Sequence, residues 1–372
     1  MHALNALWSA KRWLVVAVAV GCSPALTDRE LVQRACESGS FRDCGEVGQW
    51  YEDGNGVATD TGKAQGYYEQ ACSAGNATAC GRLGKMFMAG TGGRADPQRA
   101  RVLLQGACSS GDIRSCTLAA ILMETGKGGP KDAEKAAKYY QVACNDGDQR
   151  ACGNLGGMFA DGKVLSQDDR YAVKLFIASC AASWGPACSS LGRMHEQGRG
   201  GLEQSAVQAV AFYTKGCELG AGSGCLLMAF ACEKGLGIES DSSRAAFYYV
   251  AACEKGHELG CQYAAQVYET GRGVKASRER ALELYERGCD LAYGTACATA
   301  AGYYEQGHAR PADRANYFWD KACTYDHAIS CVKLGEVLKR TLPPDLVRAQ
   351  ALFQRACGLG EQLGCAAANG PK

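Results

Sequence analysis

Apolar residues along this 372-residue chain recur at helical rather than alternating spacing, in two segment types that follow one another from end to end. The first type, helix B, carries an alanine eight residues ahead of a cysteine: Ala64, Ala100, Ala136, Ala172, Ala209, Ala245, Ala281, Ala315 and Ala349. Between them stand large apolar or aromatic pairs such as Tyr67-Tyr68, Leu103-Leu104, Tyr139-Tyr140, Leu175-Phe176, Tyr248-Tyr249 and Phe318-Trp319. An aspartate or serine precedes most of these segments, and Asp96-Pro97 joins an N-cap side chain to a proline at the first helical position. The second type, helix A, follows another cysteine, with apolar residues three, six and seven positions on, as in Leu83, Met86, Phe87 and Leu155, Met158, Phe159. It stops at a glycine ten residues past the cysteine (Gly54, Gly90, Gly126, Gly162, Gly198, Gly235, Gly271, Gly307), which predicts a left-handed cap and a helix of about two and a half to three turns. One turn inside it lies a small residue (Gly48, Gly84, Ala120, Gly156, Gly192, Ala229, Ala265, Ala301, Gly335), which predicts close approach of a neighbouring helix.

The cysteines set the period. Twenty of the 22 form ten C-x7-C pairs: Cys36 with Cys44, Cys72 with Cys80, Cys108 with Cys116, Cys144 with Cys152, Cys180 with Cys188, Cys217 with Cys225, Cys253 with Cys261, Cys289 with Cys297, Cys323 with Cys331, and Cys357 with Cys365. Successive pairs start 36, 36, 36, 36, 37, 36, 36, 34 and 34 residues apart, the fixed interval of a repeat array. On one continuous helix the two cysteines of a pair would stand about 12 Å apart, beyond the reach of a disulfide. The chain must therefore reverse between them, and seven pairs carry a glycine three residues after the first cysteine (Gly39, Gly75, Gly111, Gly147, Gly220, Gly256, Gly360). Each disulfide would staple an αα-hairpin at its turn and contribute about 2–3 kcal/mol. Cys22 and Cys232 stand outside the pairs.

The order of small residue, cysteine-flanked apolar helix, G-x-G-V turn and K/R-A-x-x-Y-Y-x-x-A-C helix resembles Sel1-like repeats, in particular their cysteine-rich bacterial branch and the Helicobacter cysteine-rich proteins. CQYAAQVYETGRGVKASRERALELYERGC, from Cys261 to Cys289, shows one unit. The resemblance runs from Thr27 to about Ala368. It implies an all-α, right-handed α/α solenoid of nine to ten TPR-like hairpins over residues 27–368, each stapled by its C-x7-C disulfide, with residues 369–372 as a tail. The last two full repeats are two residues shorter in the loop between helices A and B, Thr341 replaces the capping glycine, and the final helix A is cut short, which makes the last repeat a candidate cap.

Lys11-Arg12, the apolar run Trp13 to Val20, and Gly21-Cys22-Ser23 read as a bacterial export signal over residues 1–21, with 22–26 as a short tether. Ala19-Val20-Gly21-Cys22 resembles a lipobox, which would make Cys22 a lipid-attached N-terminus; the other reading is an ordinary secretory signal. The expected place is the bacterial outer membrane or periplasm, an oxidising compartment that agrees with ten cysteine pairs. Forty basic against 39 acidic residues leave a net charge of +1, which argues against a nucleic-acid partner.

By resemblance, the expected role is a protein- or peptide-binding adaptor, without cofactor or metal, and the alternative is a β-lactam-binding or β-lactamase-like enzyme with a β-lactam or cell-wall ligand. Ser330-Cys331-Val332-Lys333 matches S-x-x-K by string only, since Cys331 belongs to the repeat and no S-D-N or K-T-G follows. His195, His257, His308 and His327 lack metal-ligand spacing. Cys232 replaces a core side chain in the column filled elsewhere by Tyr51, Phe87, Met123 and Phe159, and reads as a buried free thiol; His195 occupies the same column. Six glutamates (Glu52, Glu124, Glu196, Glu233, Glu269, Glu305) and seven bases (Lys63, Arg99, Lys135, Arg244, Arg280, Arg314, Arg348) form columns that read either as a charged ladder for a ligand or as solvated and intra-repeat ion pairs. Trp184, beside Pro186 in a hairpin turn, is the candidate recognition residue.

Overall fold

A computed structural model describes residues 28–41, 43–307, 314–341 and 343–369; the export signal, Cys22, the tether and His308 lie outside them. Among the described residues there are twenty helices and no strand. In order they are α1 (Asp28–Glu37), α2 (Cys44–Asp53), α3 (Thr61–Ser73), α4 (Ala77–Ala89), α5 (Pro97–Ser109), α6 (Ile113–Thr125), α7 (Ala133–Asn145), α8 (Gln149–Asp161), α9 (Asp169–Ala181) and α10 (Gly185–Gln197). There follow α11 (Ala206–Glu218), α12 (Gly222–Lys234), α13 (Ser242–Glu254), α14 (Glu258–Thr270), α15 (Arg278–Asp290), α16 (Gly294–Glu305), α17 (Arg314–Thr324), α18 (Ala328–Arg340), α19 (Leu346–Gly358) and α20 (Gln362–Asn369). Odd-numbered helices are helix B and even-numbered ones helix A, stacked as a repeat solenoid. The chain divides into two compact units, Met1–Gly106 and Ala107–Lys372.

Local chemistry places each helix end. Asp60, Asp132, Asp168, Ser205, Asp241, Ser277 and Asp345 cap helix B, each side chain accepting a backbone N–H of the first turn. Helix B runs one residue past the first cysteine and closes with a Schellman turn: in α3, Gly75 N–H donates to Cys72 O at 2.9 Å and Asn76 N–H to Ala71 O at 3.0 Å. Asn76 and Asp148 then cap the following helix A, through Ala79 N–H and Ala151 N–H. That early cap gives helix A a further turn before the second cysteine, so most run 13 residues rather than the expected two and a half to three turns.

The tight reversal brings the two cysteines of each pair to a Cα–Cα distance of 4.3–4.9 Å, within the range a disulfide spans. All ten bridges are formed within their own hairpins. In the first unit Cys36 is bonded to Cys44 and Cys72 to Cys80. In the second, Cys108 is bonded to Cys116, Cys144 to Cys152, Cys180 to Cys188, Cys217 to Cys225, Cys253 to Cys261, Cys289 to Cys297, Cys323 to Cys331 and Cys357 to Cys365.

The second residue of each helix B pair is the principal core anchor. Tyr68, Tyr140, Tyr249 and Tyr285 are buried ring and all, and Tyr68, Leu104, Phe176, Tyr213 and Phe353 lie on the glycine of the preceding helix A. A methyl group at Gly48 would come within 2.8 Å of the Tyr68 ring, and one at Gly192 within 2.6 Å of Tyr213. In the second unit one apolar core continues from Ala209 to Ala356. At its end α20 has eight residues, and Gln350 Nε2 holds it by donating to Ala368 O at 2.8 Å.

Candidate functional site

The hairpin turn between α9 and α10 places Trp184 as the N-cap of α10, at φ −83° and ψ 97°. Instead of projecting from a loop, the indole folds back on the preceding helix A. Its Cδ1–Nε1 edge overlies Gly153, where a methyl group would meet Cδ1 at 2.8 Å, and Arg150 stacks over the ring at 4.9 Å. The indole N–H is buried without a hydrogen-bond partner. Beside it a groove of about 220 Å³ opens between α8 and α10, bordered by Glu124, Asn154, Gly157, Asp161 and Ser190. The first unit has a groove of about 240 Å³ at the corresponding repeat positions, where Gly45, Asn76 and Arg82 stand in for Gly153, Trp184 and Ser190.

The glutamate column sits next to these grooves, and its chemistry differs from both expected readings. Five of the six carboxylates accept a hydrogen bond from the buried tyrosine of the following helix B: Tyr68 to Glu52 at 2.6 Å, Tyr140 to Glu124 at 2.8 Å, Tyr213 to Glu196 at 2.6 Å, Tyr249 to Glu233 at 2.8 Å and Tyr285 to Glu269 at 2.6 Å. Glu52 and Glu233 also pair with Arg82 and Arg272, while Glu305 pairs with Lys333. Burial, reinforced by the adjacent carboxylates, pushes these tyrosine hydroxyls above their ordinary range. Tyr304, beside Glu286, is likewise pushed up to about 12, first by burial. Six of the seven bases pair elsewhere: Lys63 with Asp60, Lys135 with Asp132, Arg280 with Glu283, Arg99 with Glu69, Arg314 with Glu286 and Arg348 with Asp320. The two columns do not form one ladder, because five of the six helix A glutamates meet a buried tyrosine of the following helix B and Glu305 pairs with Lys333. Sequence spacing alone missed this: the buried hydroxyl of the second tyrosine was the available signal.

The family model of the Sel1 repeat matches residues 44–76, 77–112, 113–148, 149–183, 185–220, 222–257, 259–293 and 328–361. The chain belongs to the Sel1-repeat family. Among solved structures it is similar to a protective antigen of uropathogenic Escherichia coli displaying an SLR fold, at 22% identity and TM-score 0.50, covering 92% of this chain and 82% of that one. It is also similar to a Sel1 repeat protein from Oxalobacter formigenes (21%, TM-score 0.49, 84% and 90%) and to Helicobacter pylori cysteine rich protein B (25%, TM-score 0.30, 37% and 97%). No curated protein sequence matches the chain.

Within the Sel1 repeats the remaining candidates take structural places. Ser330 is fully buried in the first turn of α18, its hydroxyl 2.7 Å from Nδ1 of the N-cap residue His327, whose pKa burial lowers. Ser115 and the N-cap residue Asp112 make the same side chain–side chain contact in α6, so the pair is a feature of the helix start that recurs in the repeat. Lys333 reaches Glu305 and lies over the Trp319 ring rather than approaching a nucleophile. Cys232 is a buried free thiol, its pKa raised by burial, and His195 stacks on Phe212 with ring centroids 5.2 Å apart. What their shared column supplies is a backbone carbonyl: Cys232 O accepts Asp241 N–H and His195 O accepts Ser205 N–H, which locks the next helix B cap whatever the side chain.

Proposed function

We propose that this protein is an exported, lipid-anchored adaptor of the bacterial cell envelope that binds another protein or peptide on its Sel1-repeat scaffold. The observation that carries the reading is the scaffold itself, ten helical hairpins each closed by a disulfide. Stacked hairpins that contact only neighbours present an extended surface suited to macromolecules. Disulfides at this density persist in an oxidising compartment, which supports export. Lys11-Arg12, the apolar run and Cys22 support a signal over residues 1–21 and lipid attachment at Cys22.

Affinity capture from cell envelopes, with the oxidised chain against a reduced control, tests the role. The expected result is a partner retained only by the oxidised chain and reconstituted from purified components at fixed stoichiometry. Sustained β-lactam hydrolysis by the repurified protein would overturn it in favour of the enzyme reading. For the anchor, the intact mass of membrane-extracted protein should correspond to a chain beginning at an acylated Cys22, and Cys22→Ser should release the protein from the membrane fraction.

A further inference from the structure

The groove at Trp184 has two features that its counterpart at Asn76 lacks. Its border carries two carboxylates, Glu124 and Asp161, and among the described residues no cation, whereas Arg82 at the other groove already pairs with Glu52 at 2.8 Å. It also lacks the side chain that its counterpart carries there: Gly157 occupies the column of Gln49, Lys85, Ile121, Arg193, Phe230, Gln266 and Glu336, shares glycine with Gly302, and has nothing within 4 Å of where its Cβ would be.

We propose that this groove binds the cationic side chain, arginine or lysine, of an extended segment of a partner protein; the proposal rests on the adaptor reading above. The groove, about 220 Å³, has room for one long side chain, and Gly157 adds no side chain of its own to its border. Glu124 and Asp161 supply the charge to hold it there, and the nearby cations are engaged: Arg150 lies on the Trp184 ring, and Arg199 is held by both carboxylate oxygens of Asp169 and by Ala160 O. Trp184 supplies an aromatic wall of the kind that anchors interfaces and attracts cations.

The test uses the full oxidised chain and a fluorescent Ala-Ala-Arg-Ala-Ala peptide, with the neutral citrulline analogue as control. Expected are saturable binding, at least tenfold weaker binding of the citrulline peptide, and at least tenfold loss in Gly157→Leu. That variant projects into open space and replaces a mid-helix glycine, so its unfolding midpoint should equal or exceed the parent's. Asp161→Asn should weaken binding several-fold and flatten its salt dependence. Absence of saturable binding, equal binding of the citrulline peptide, or undiminished binding by Gly157→Leu would each overturn the proposal. An envelope partner still captured in any of those cases leaves the adaptor reading standing; failure to capture any partner overturns that reading while the titration still decides the groove.

Discussion

Three residues bear a backbone conformation for which the repeat elsewhere uses glycine. Ser183, Ala292 and Asp326 have φ of 65°, 66° and 61° at the third position after the first cysteine, where the other seven hairpins place glycine. The Schellman turn demands this left-handed residue, and a side chain there costs about 1–2 kcal/mol before the greater unfolded-state freedom of glycine is subtracted. Ala292→Gly should therefore stabilise by about 1 kcal/mol, read as a higher urea midpoint. Gly256→Ala, with open space around the added methyl, should destabilise by a similar amount. The tyrosine–glutamate pairs make a second residue-scale prediction. Tyr140→Phe removes one hydrogen bond to an exposed carboxylate and should cost about 1 kcal/mol. Because folding raises the pKa of these hydroxyls, their contribution is fully present below the unfolded value near 10 and is lost as pH rises towards the folded values. Unfolding midpoints should fall from about pH 10 upward, with a shallower slope in Tyr140→Phe.

At the scale of helices, the hairpin is held by a staple at its turn and by a small residue facing a large one along its length. Replacing Cys144 and Cys152 together by alanine opens a loop of about nine residues and should cost about 2–3 kcal/mol in denaturant unfolding. Gly192→Val sets a branched side chain against the Tyr213 ring and the Ala209 carbonyl, and should cost roughly 1–3 kcal/mol although valine favours a helix more than glycine does. Ala120, Ala229 and Ala265 occupy the same column, so one methyl is accommodated there and a larger group is the decisive probe.

For the whole molecule, alkylation and intact mass should find 20 oxidised cysteines and one slow-reacting thiol, Cys232, in protein beginning at Ser23. Rapid labelling of many thiols in the native protein would contradict the stapled solenoid. Each repeat rests on its neighbours, so full reduction should lower the stability of all hairpins together rather than release one region.

The repeat period, both helices, their caps and the cysteine pairing were legible in the chain because each depends on spacing within about ten residues: Asp ahead of helix B, Gly after helix A, alanine and aromatic on one helical face. Two things were not. Glu124 and Tyr140 lie 16 residues apart on different helices, and only their packing turns an apparent surface charge into a partner of a core hydroxyl. Trp184 looked like a projecting loop residue, but the turn that makes it an N-cap also lays it on Gly153 of the previous repeat. Local backbone chemistry determined the elements from sequence; which side chains the stacked repeats consume, and where Gly157 leaves a gap, depended on contacts between helices that only the tertiary structure brings together.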